Sequence, residues 1–305
     1  NVTLSGGSFQ FVGSSGADTN AFGTGTITVT ANSTLNTFTD ATRTKSSRLL
    51  NAIVVTGGTL ALGTGSGGSG SLTLAGGLTA TNAANVTVGG GRVILESDLA
   101  VNGTGAFTLT GGTLQLGNNT ATGSINGGLA FNATAGSLIF NRSDNATYSG
   151  VFSGTGSLTQ AGTGNLTLTS ANTYTGVTTV SAGTLTLASG ASLASSGFTT
   201  AAGATLALNA STTVTTLSGF GNIQIGSGAT LTLNNSTGQS IGSGGASSLA
   251  STGAFSGAGT FVKTGTGLLY VQGDFSSTTT NVTLSGGSFQ FVGSSGADTN
   301  AFGTG

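Results

Sequence analysis

Thr184-Leu185-Thr186-Leu187 alternates hydroxyl and leucine side chains, and nearly the same text returns as Thr205-Leu206-Ala207-Leu208 and Thr230-Leu231-Thr232-Leu233. Alternation with a period of two places leucine on one face of an extended strand and threonine on the other. The pattern recurs at Thr26-Ile27-Thr28-Val29-Thr30, Thr59-Leu60-Ala61-Leu62, Ser71-Leu72-Thr73-Leu74, Thr113-Leu114-Gln115-Leu116, Leu166-Thr167-Leu168 and Phe289-Gln290-Phe291. Each run is short and bounded by Gly-Gly, Ser-Gly or Asn-Gly, which are turn signals. Helical spacing at i, i+3 and i+4 is hard to find anywhere. The chain is all-β.

Segments ending at Leu114, Leu138, Leu158, Leu185, Leu206 and Leu231 lie about 20–27 residues apart. That is the length of one coil of a β-helix, in which each strand hydrogen-bonds to its counterpart in the next coil. The spacing predicts a parallel β-solenoid with leucine inward and threonine outward on about three faces. At about 4.8 Å per coil, roughly 12–14 coils per 280 residues advance about 60–65 Å. Gly, Ala and Ser suit the corners, where neighbouring coils approach closely.

Composition excludes much of the usual chemistry. Glycine is 57 of 305 residues, and Ser with Thr supplies about 31 per cent. Charged residues are 4 per cent, against about 25 per cent in ordinary domains. His, Cys, Met, Trp and Pro are all zero, which removes thiol catalysis, His-based triads and most transition-metal sites. Six basic residues cannot neutralise a phosphate backbone, so nucleic acid is not an expected partner. A hydrophobic content of 36 per cent and a mean hydropathy of +0.27 are too apolar for a disordered tail. No apolar run of about 18 residues is present, so no membrane-spanning helix is expected in this segment. A chain without methionine or a signal-like start reads as a mature segment or a piece of a longer precursor. Absence of cysteine fits a secreted chain that stays uncrosslinked during export.

A long-range identity sets the domain organisation. Residues 1–25 and 281–305 both read NVTLSGGSFQFVGSSGADTNAFGTG. Residues 1–280 are therefore one period, and 281–305 begin the next, identical one, which implies a tandem array. Without the duplicate Asp298, the period holds six acidic and six basic residues and is electroneutral.

Within residues 150–187, the run Ser153-Gly154-Thr155-Gly156-Ser157-Leu158, then Ala171-Asn172-Thr173-Tyr174-Thr175-Gly176, then Ala182-Gly183-Thr184-Leu185 resembles the passenger-associated transport repeat of autotransporter-type surface proteins. A second, degenerate copy begins at Gly253 and lacks the Asn-Thr-Tyr-Thr-Gly step. The specific match covers about 38 residues; the rest is similar to such passengers in style. The resemblance implies a right-handed β-helix exported to the surface of a Gram-negative bacterium.

Candidate chemistry is sparse. Gly63-Thr64-Gly65-Ser66-Gly67-Gly68 spells G-x-G-x-x-G, but no helix follows to receive a pyrophosphate. Gly238-Gln239-Ser240-Ile241-Gly242 spells G-x-S-x-G without any histidine to act as base, and Lys45 and Lys263 stand in unrelated strand contexts. Glu96 and Asp98 form the close acidic pair, about 6.5 Å apart on one strand face, with Arg92 near enough to offset their repulsion. Asp274, Asp298 (the copy of Asp18) and the next period's equivalent of Asp40 are spaced by about one coil each. Such a carboxylate column needs Ca²⁺ or neighbouring cations; Arg43, Lys45 and Arg48 follow Asp40, so an ion-pair patch is the competing reading. About 13 Asn-x-Ser/Thr sequons, among them Asn32, Asn85, Asn132 and Asn145, follow from composition and read as structural asparagines at corners. No catalytic residue, cofactor site or metal site is assigned, the ion-pair patch being favoured over a calcium column of Asp18, Asp40, Asp274 and Asp298.

Three function classes remain. A structural extracellular fibre or adhesin shaft, with modules stacked end to end on themselves, accounts for the repeat, the neutrality and the missing catalytic residue types together. A surface-binding module for glycan or ice would use outward Thr ladders, though Ala61, Gln115 and Ala207 interrupt them. A polysaccharide-active β-helix enzyme is disfavoured by the scarcity of acids. The chain is read as no enzyme, without cofactor, located outside the cell.

Overall fold

A computed structural model describes residues 1–11, 18–19, 22–37, 46–64, 70–126, 131–241, 255–271 and 280–291. Those residues hold 38 strands and no helix, and every recorded strand pairing is parallel. Two compact units divide the chain, one of residues 1–144 and 149–157, the other of residues 145–148 and 158–305.

In the first unit the strands visit three sheets in strict rotation. One sheet runs through Val2–Leu4, Ile27–Val29, Ile53–Val55, Leu78–Asn82, Leu99–Gly103 and Ile125–Asn126. The next runs from Gly7–Phe11 and Ser33–Thr37 to Phe131–Ala133 and Phe152–Gly154. The third carries Asp18–Thr19, Ser47–Leu49, Ser71–Leu74, Arg92–Leu95, Thr113–Thr120 and Ser137–Arg142. The second unit has the same habit. One face stacks Ala146–Tyr148, Asn165–Leu168, Thr184–Leu187, Thr205–Leu208, Asn222–Ile225 and Phe255–Ser256. A seven-strand face runs from Ser157–Gln160 to Ser288–Phe291. The remaining face is broken into a pair of strands and then four, Thr212–Val214, Thr230–Leu233, Thr260–Lys263 and Asn281–Leu284. The chain makes about 11 turns, somewhat fewer than the roughly 12–14 coils expected from the sequence. The expected parallel β-solenoid is the observed fold.

Alternation does what the sequence requires. Thr184–Leu187 has Leu185 and Leu187 buried and its threonines half-exposed. Leu185 sits between Leu166 and Leu206, and Leu187 between Leu168 and Leu208, so identical side chains meet across consecutive coils. In the first unit Phe107, Phe131 and Phe152 stack in register. The first two rings are 5.0 Å apart at 66°, an edge-on contact that aromatic quadrupoles favour. The leucines used to infer the coil length do not share one column, however. Leu114 and Leu138 lie opposite each other in the first unit. In the second, Leu158 faces Thr178, Leu185 faces Leu206 on another sheet, and Leu231 faces Phe261 on a third. Any face repeats at nearly the same spacing, so periodicity found the coil length without distinguishing the faces.

Leu185 is fully buried at the centre of its column, so Leu185→Ala is expected to cost about 2–5 kcal/mol. Thr167→Ala, on the outward side of the neighbouring coil, is expected to stay within about 0.5 kcal/mol. Amide hydrogen exchange across residues 165–208 measures both, since nearest-neighbour coupling confines the loss to adjoining coils.

Candidate functional site

Polar side chains that leave the alternation pattern mark the special places of this chain. Gln160 follows Leu158 at an inward position, and Lys263 follows Phe261 in the same way. Both are buried, and each turns to the corner that ends its own strand. Gln160 Nε2 donates to the carbonyls of Gly162 at 2.9 Å and Gly164 at 3.0 Å. Lys263 Nζ donates to the carbonyl of Gly265, and to that of Gly286 in the next coil at 3.3 Å. Gln115 reaches Gly117 O at 2.7 Å, and Asn235 reaches Thr237 O at 2.7 Å and Leu268 O at 3.2 Å. The shared rule is a long donor at position i and a corner carbonyl at i+2. A corner breaks the ladder and leaves carbonyls facing the dry interior, where an unmade hydrogen bond costs about 1–3 kcal/mol.

The acceptors at other corners are asparagine side chains. Asn32 Oδ1 takes the N–H of Thr59 at 2.9 Å, Asn85 Oδ1 that of Ala106 at 2.8 Å, and Asn145 Oδ1 that of Asn165 at 3.1 Å. Each bond joins one coil to the following one, a structural use for these three sequon asparagines.

The Asn172-Thr173-Tyr174-Thr175-Gly176 step is built inward. Asn172 and Tyr174 are buried, Thr173 and Thr175 exposed. Asn172 Nδ2 donates to Ser170 O at 2.9 Å. Tyr174 Oη meets Thr178 Oγ1 at 2.6 Å, and Thr178 donates to Ser195 Oγ at 2.9 Å. Ser195 Oγ in turn lies 2.8 Å from Gly176 O and 2.9 Å from Gly197 O. A phenol thus reaches a relay of hydroxyls that closes two consecutive corners. Burial drives the Tyr174 hydroxyl well above its ordinary range, opposed by the Thr178 hydrogen bond, so it remains a neutral donor.

Asn172, Tyr174 and Thr178 lie in a stretch that is similar to a known repeat. Residues 158–187 match the model of the passenger-associated-transport-repeat. That stretch, about a tenth of the chain, carries one passenger-associated-transport-repeat. Over 189 residues, 59% of this chain, it is also 35% identical to the protein named "Adhesin BmaC autotransporter" of Brucella suis biovar 1 (strain 1330). That alignment covers 5% of the Brucella protein, so this chain spans a small fraction of its relative's length. No solved structure matches the chain.

The residues singled out for chemistry are placed as follows. Glu96 is met by a different arginine from the expected one: Arg48 Nε donates to Glu96 Oε2 at 2.7 Å, and Asn118 Nδ2 to Glu96 Oε1 at 3.0 Å. Arg92 instead donates to Gln115 Oε1. Asp98 accepts from the Ser124 hydroxyl. Arg48 and Glu96 are 48 residues apart, a separation no local reading of sequence joins. Arg142 holds Asp144 at 2.8 Å, and this hydrogen bond keeps the exposed Asp144 carboxyl below its ordinary range. Ser240 is exposed on the Gln239–Ile241 strand opposite Tyr270. Lys263, on a different sheet from Ser240, is committed to the corner carbonyls of Gly265 and Gly286. Asp18 lies in a strand whose register sets it opposite Arg48. Asp40, Asp274 and Asp298, with Arg43 and Lys45, fall outside the described residues, as do residues 65–68 of the glycine-rich motif and Gly242. Among the described residues no group of three or more His, Cys, Asp or Glu side chains comes together.

Desolvation lowers the Lys263 pKa below its ordinary 10.5. Between the lowered folded value and the unfolded one, the unfolded chain binds more protons, so stability rises with pH across that interval and is flat on either side. In Lys263→Gln, whose amide copies the role of Gln160, the rise is expected to disappear. Urea midpoints of both proteins from about pH 8 upward measure the difference. Tyr174→Phe keeps the ring and is expected to cost about 1–2 kcal/mol through the lost corner relay.

Proposed function

We propose that this chain is a structural module of a bacterial surface passenger, an adhesin-type shaft built from end-to-end repeats of the 280-residue period. One observation carries the reading. Asn281–Leu284 and Ser288–Phe291, the opening strands of the second period, hydrogen-bond onto Thr260–Lys263 and Leu268–Val271 of the first. Among the described residues the parallel ladder runs on from the first period into the second, which supports the array reading. The transport repeat and the likeness to a protein named as an autotransporter adhesin support a place outside a Gram-negative cell. Electroneutral modules add no net charge as the shaft lengthens, and the polar groups described above are spent on corners. Neither catalysis nor a cofactor is part of this function.

A second reading, a glycan-binding or ice-binding surface, has one observation in its favour. Thr159, Thr179, Thr199 and Ser218 form a single outward column. The Thr167 and Thr186 column on another face breaks at Ala207. Thr199 and Ser218 also bond to each other at 3.1 Å, which leaves fewer hydroxyls for a ligand.

The shaft reading is tested on the source bacterium. Antibodies against residues 131–241 are expected to label intact cells, and removing whole periods from the gene is expected to shorten the labelled projection without loss of export. A single genomic copy of the period, or labelling only after the outer membrane is opened, overturns it.

A further inference from the structure

Leu185, Leu206, Ile223 and Phe255 follow one another in a single column of the second unit at unequal sequence spacing. No constant repeat length therefore tells a strand where to land on the coil before it. Alternation fixes the landing only in part. A slip of one residue turns the apolar side chains outward, but a slip of two returns them to the interior. Where Asn281–Leu284 pairs with Thr260–Lys263, a two-residue slip in either direction still sets Val282 or Leu284 against an inward side chain. Hydrophobic burial alone does not separate these settings.

Two consecutive joints carry the same buried device. Asn235 is 1% exposed, and its Nδ2 donates to Thr237 O at its own corner, at 2.7 Å, and to Leu268 O in the next coil, at 3.2 Å. Lys263, one coil on, is 0% exposed, and its Nζ donates to Gly265 O at its own corner and to Gly286 O in the next coil, at 3.3 Å. In both cases the facing coil supplies a glycine. An added Cβ would lie 2.8 Å from Asn235 Nδ2 at Gly267, and 2.7 Å from Lys263 Nζ at Gly287, so the missing side chain makes room for the donor. Elsewhere in the unit the inward end of a strand is apolar, as at Leu187 and Leu208. Asn235 Oδ1 is buried without a partner, and Lys263 keeps an amine out of water; both cost stability relative to leucine.

We propose that Asn235 and Lys263 are register keys, residues whose buried donors accept the following coil in one of its two-residue settings and reject the others. In the observed setting each donor meets an acceptor on both coils. A two-residue slip carries Leu268 O or Gly286 O about 6.6 Å along the strand, beyond hydrogen-bond reach, and leaves the buried donor with its own corner alone. The penalty falls on the slipped settings only. The keys thus cost some stability while widening the gap between correct and slipped pairing. A single buried polar side chain fixes register in coiled coils by the same logic.

Outward neighbours report the register without touching the keys. Val262 lies opposite Thr283, and Thr232 opposite Val262. The protein has no cysteine, so a disulfide reports only introduced sites. Adjacent parallel strands about 4.8 Å apart are within disulfide reach, whereas partners slipped by two residues, about 8 Å apart, are not. The full chain carrying Val262→Cys with Thr283→Cys, Asn281→Cys or Ser285→Cys is refolded under mild oxidation, and the linked peptides are quantified by mass spectrometry. With Lys263 in place, the Thr283→Cys disulfide is expected to exceed either slipped one by at least about ten-fold. Lys263→Met is expected to bring the three yields within about three-fold of one another, with an equal or higher urea midpoint. Lys263→Gln still donates to carbonyls and is expected to keep the preference. At the other joint Asn235→Leu is compared in the same way, using Thr232→Cys with Val262→Cys, Thr260→Cys or Thr264→Cys. If either Lys263→Met or Asn235→Leu retains the native preference, or loses all three disulfides, its side chain serves stability alone and the proposal is overturned. Both joints lie within one chain, so the result is independent of how many periods the passenger holds.

Discussion

The parallel backbone ladder between successive coils is the interaction on which the rest depends. Val2 N bonds to Thr26 O, Ile27 N to Ala52 O and Ile53 N to Gly77 O, at 2.9–3.0 Å. Each coil meets the hydrogen-bonding needs of its predecessor and presents the same needs to its successor. Helices close their bonds within one segment; a solenoid coil closes them only through neighbours. Stability therefore belongs to the stack, and a coil at an edge is incomplete in a way no side chain repairs.

Close stacking sets the composition. At Gly105 an added Cβ would lie 1.8 Å from the Ala84 carbonyl oxygen, so no other residue fits without moving the backbone. Small residues at corners, leucine columns between them and hydroxyls outside leave little surface on which charge is useful. The few charged and amide groups are then placed where the ladder is interrupted. Lys263 and Gln160 cap interior carbonyls, and Arg48, Glu96 and Asn118 link three coils of the first unit. Gln160 and Lys263 thus hold backbone together at corners, while Arg48, Glu96 and Asn118 join side chains of different coils.

The transport repeat fits this scheme without a surface role for its most recognisable residues. Its aromatic residue, Tyr174, is buried, and the hydroxyl relay to Thr178 and Ser195 ties its own corner to the following one. A motif recognisable in one dimension by its Asn-Thr-Tyr-Thr-Gly step is, in three, a device for closing coils in succession.

Period-two alternation and glycine punctuation were enough to determine strands, coil length and a parallel solenoid. They suffice because each depends on residues close in the chain or identical in it. Gln160 and Lys263 were also visible, as polar residues at inward positions, but alternation does not say which carbonyls they meet. The tertiary structure decided that Arg48 and not Arg92 pairs with Glu96, and that Leu158 lies over Thr178. Those outcomes depend on which residues the register brings opposite one another. Register is set by the exact length of every coil, and that length varies at corners whose glycines leave little trace of the path they take.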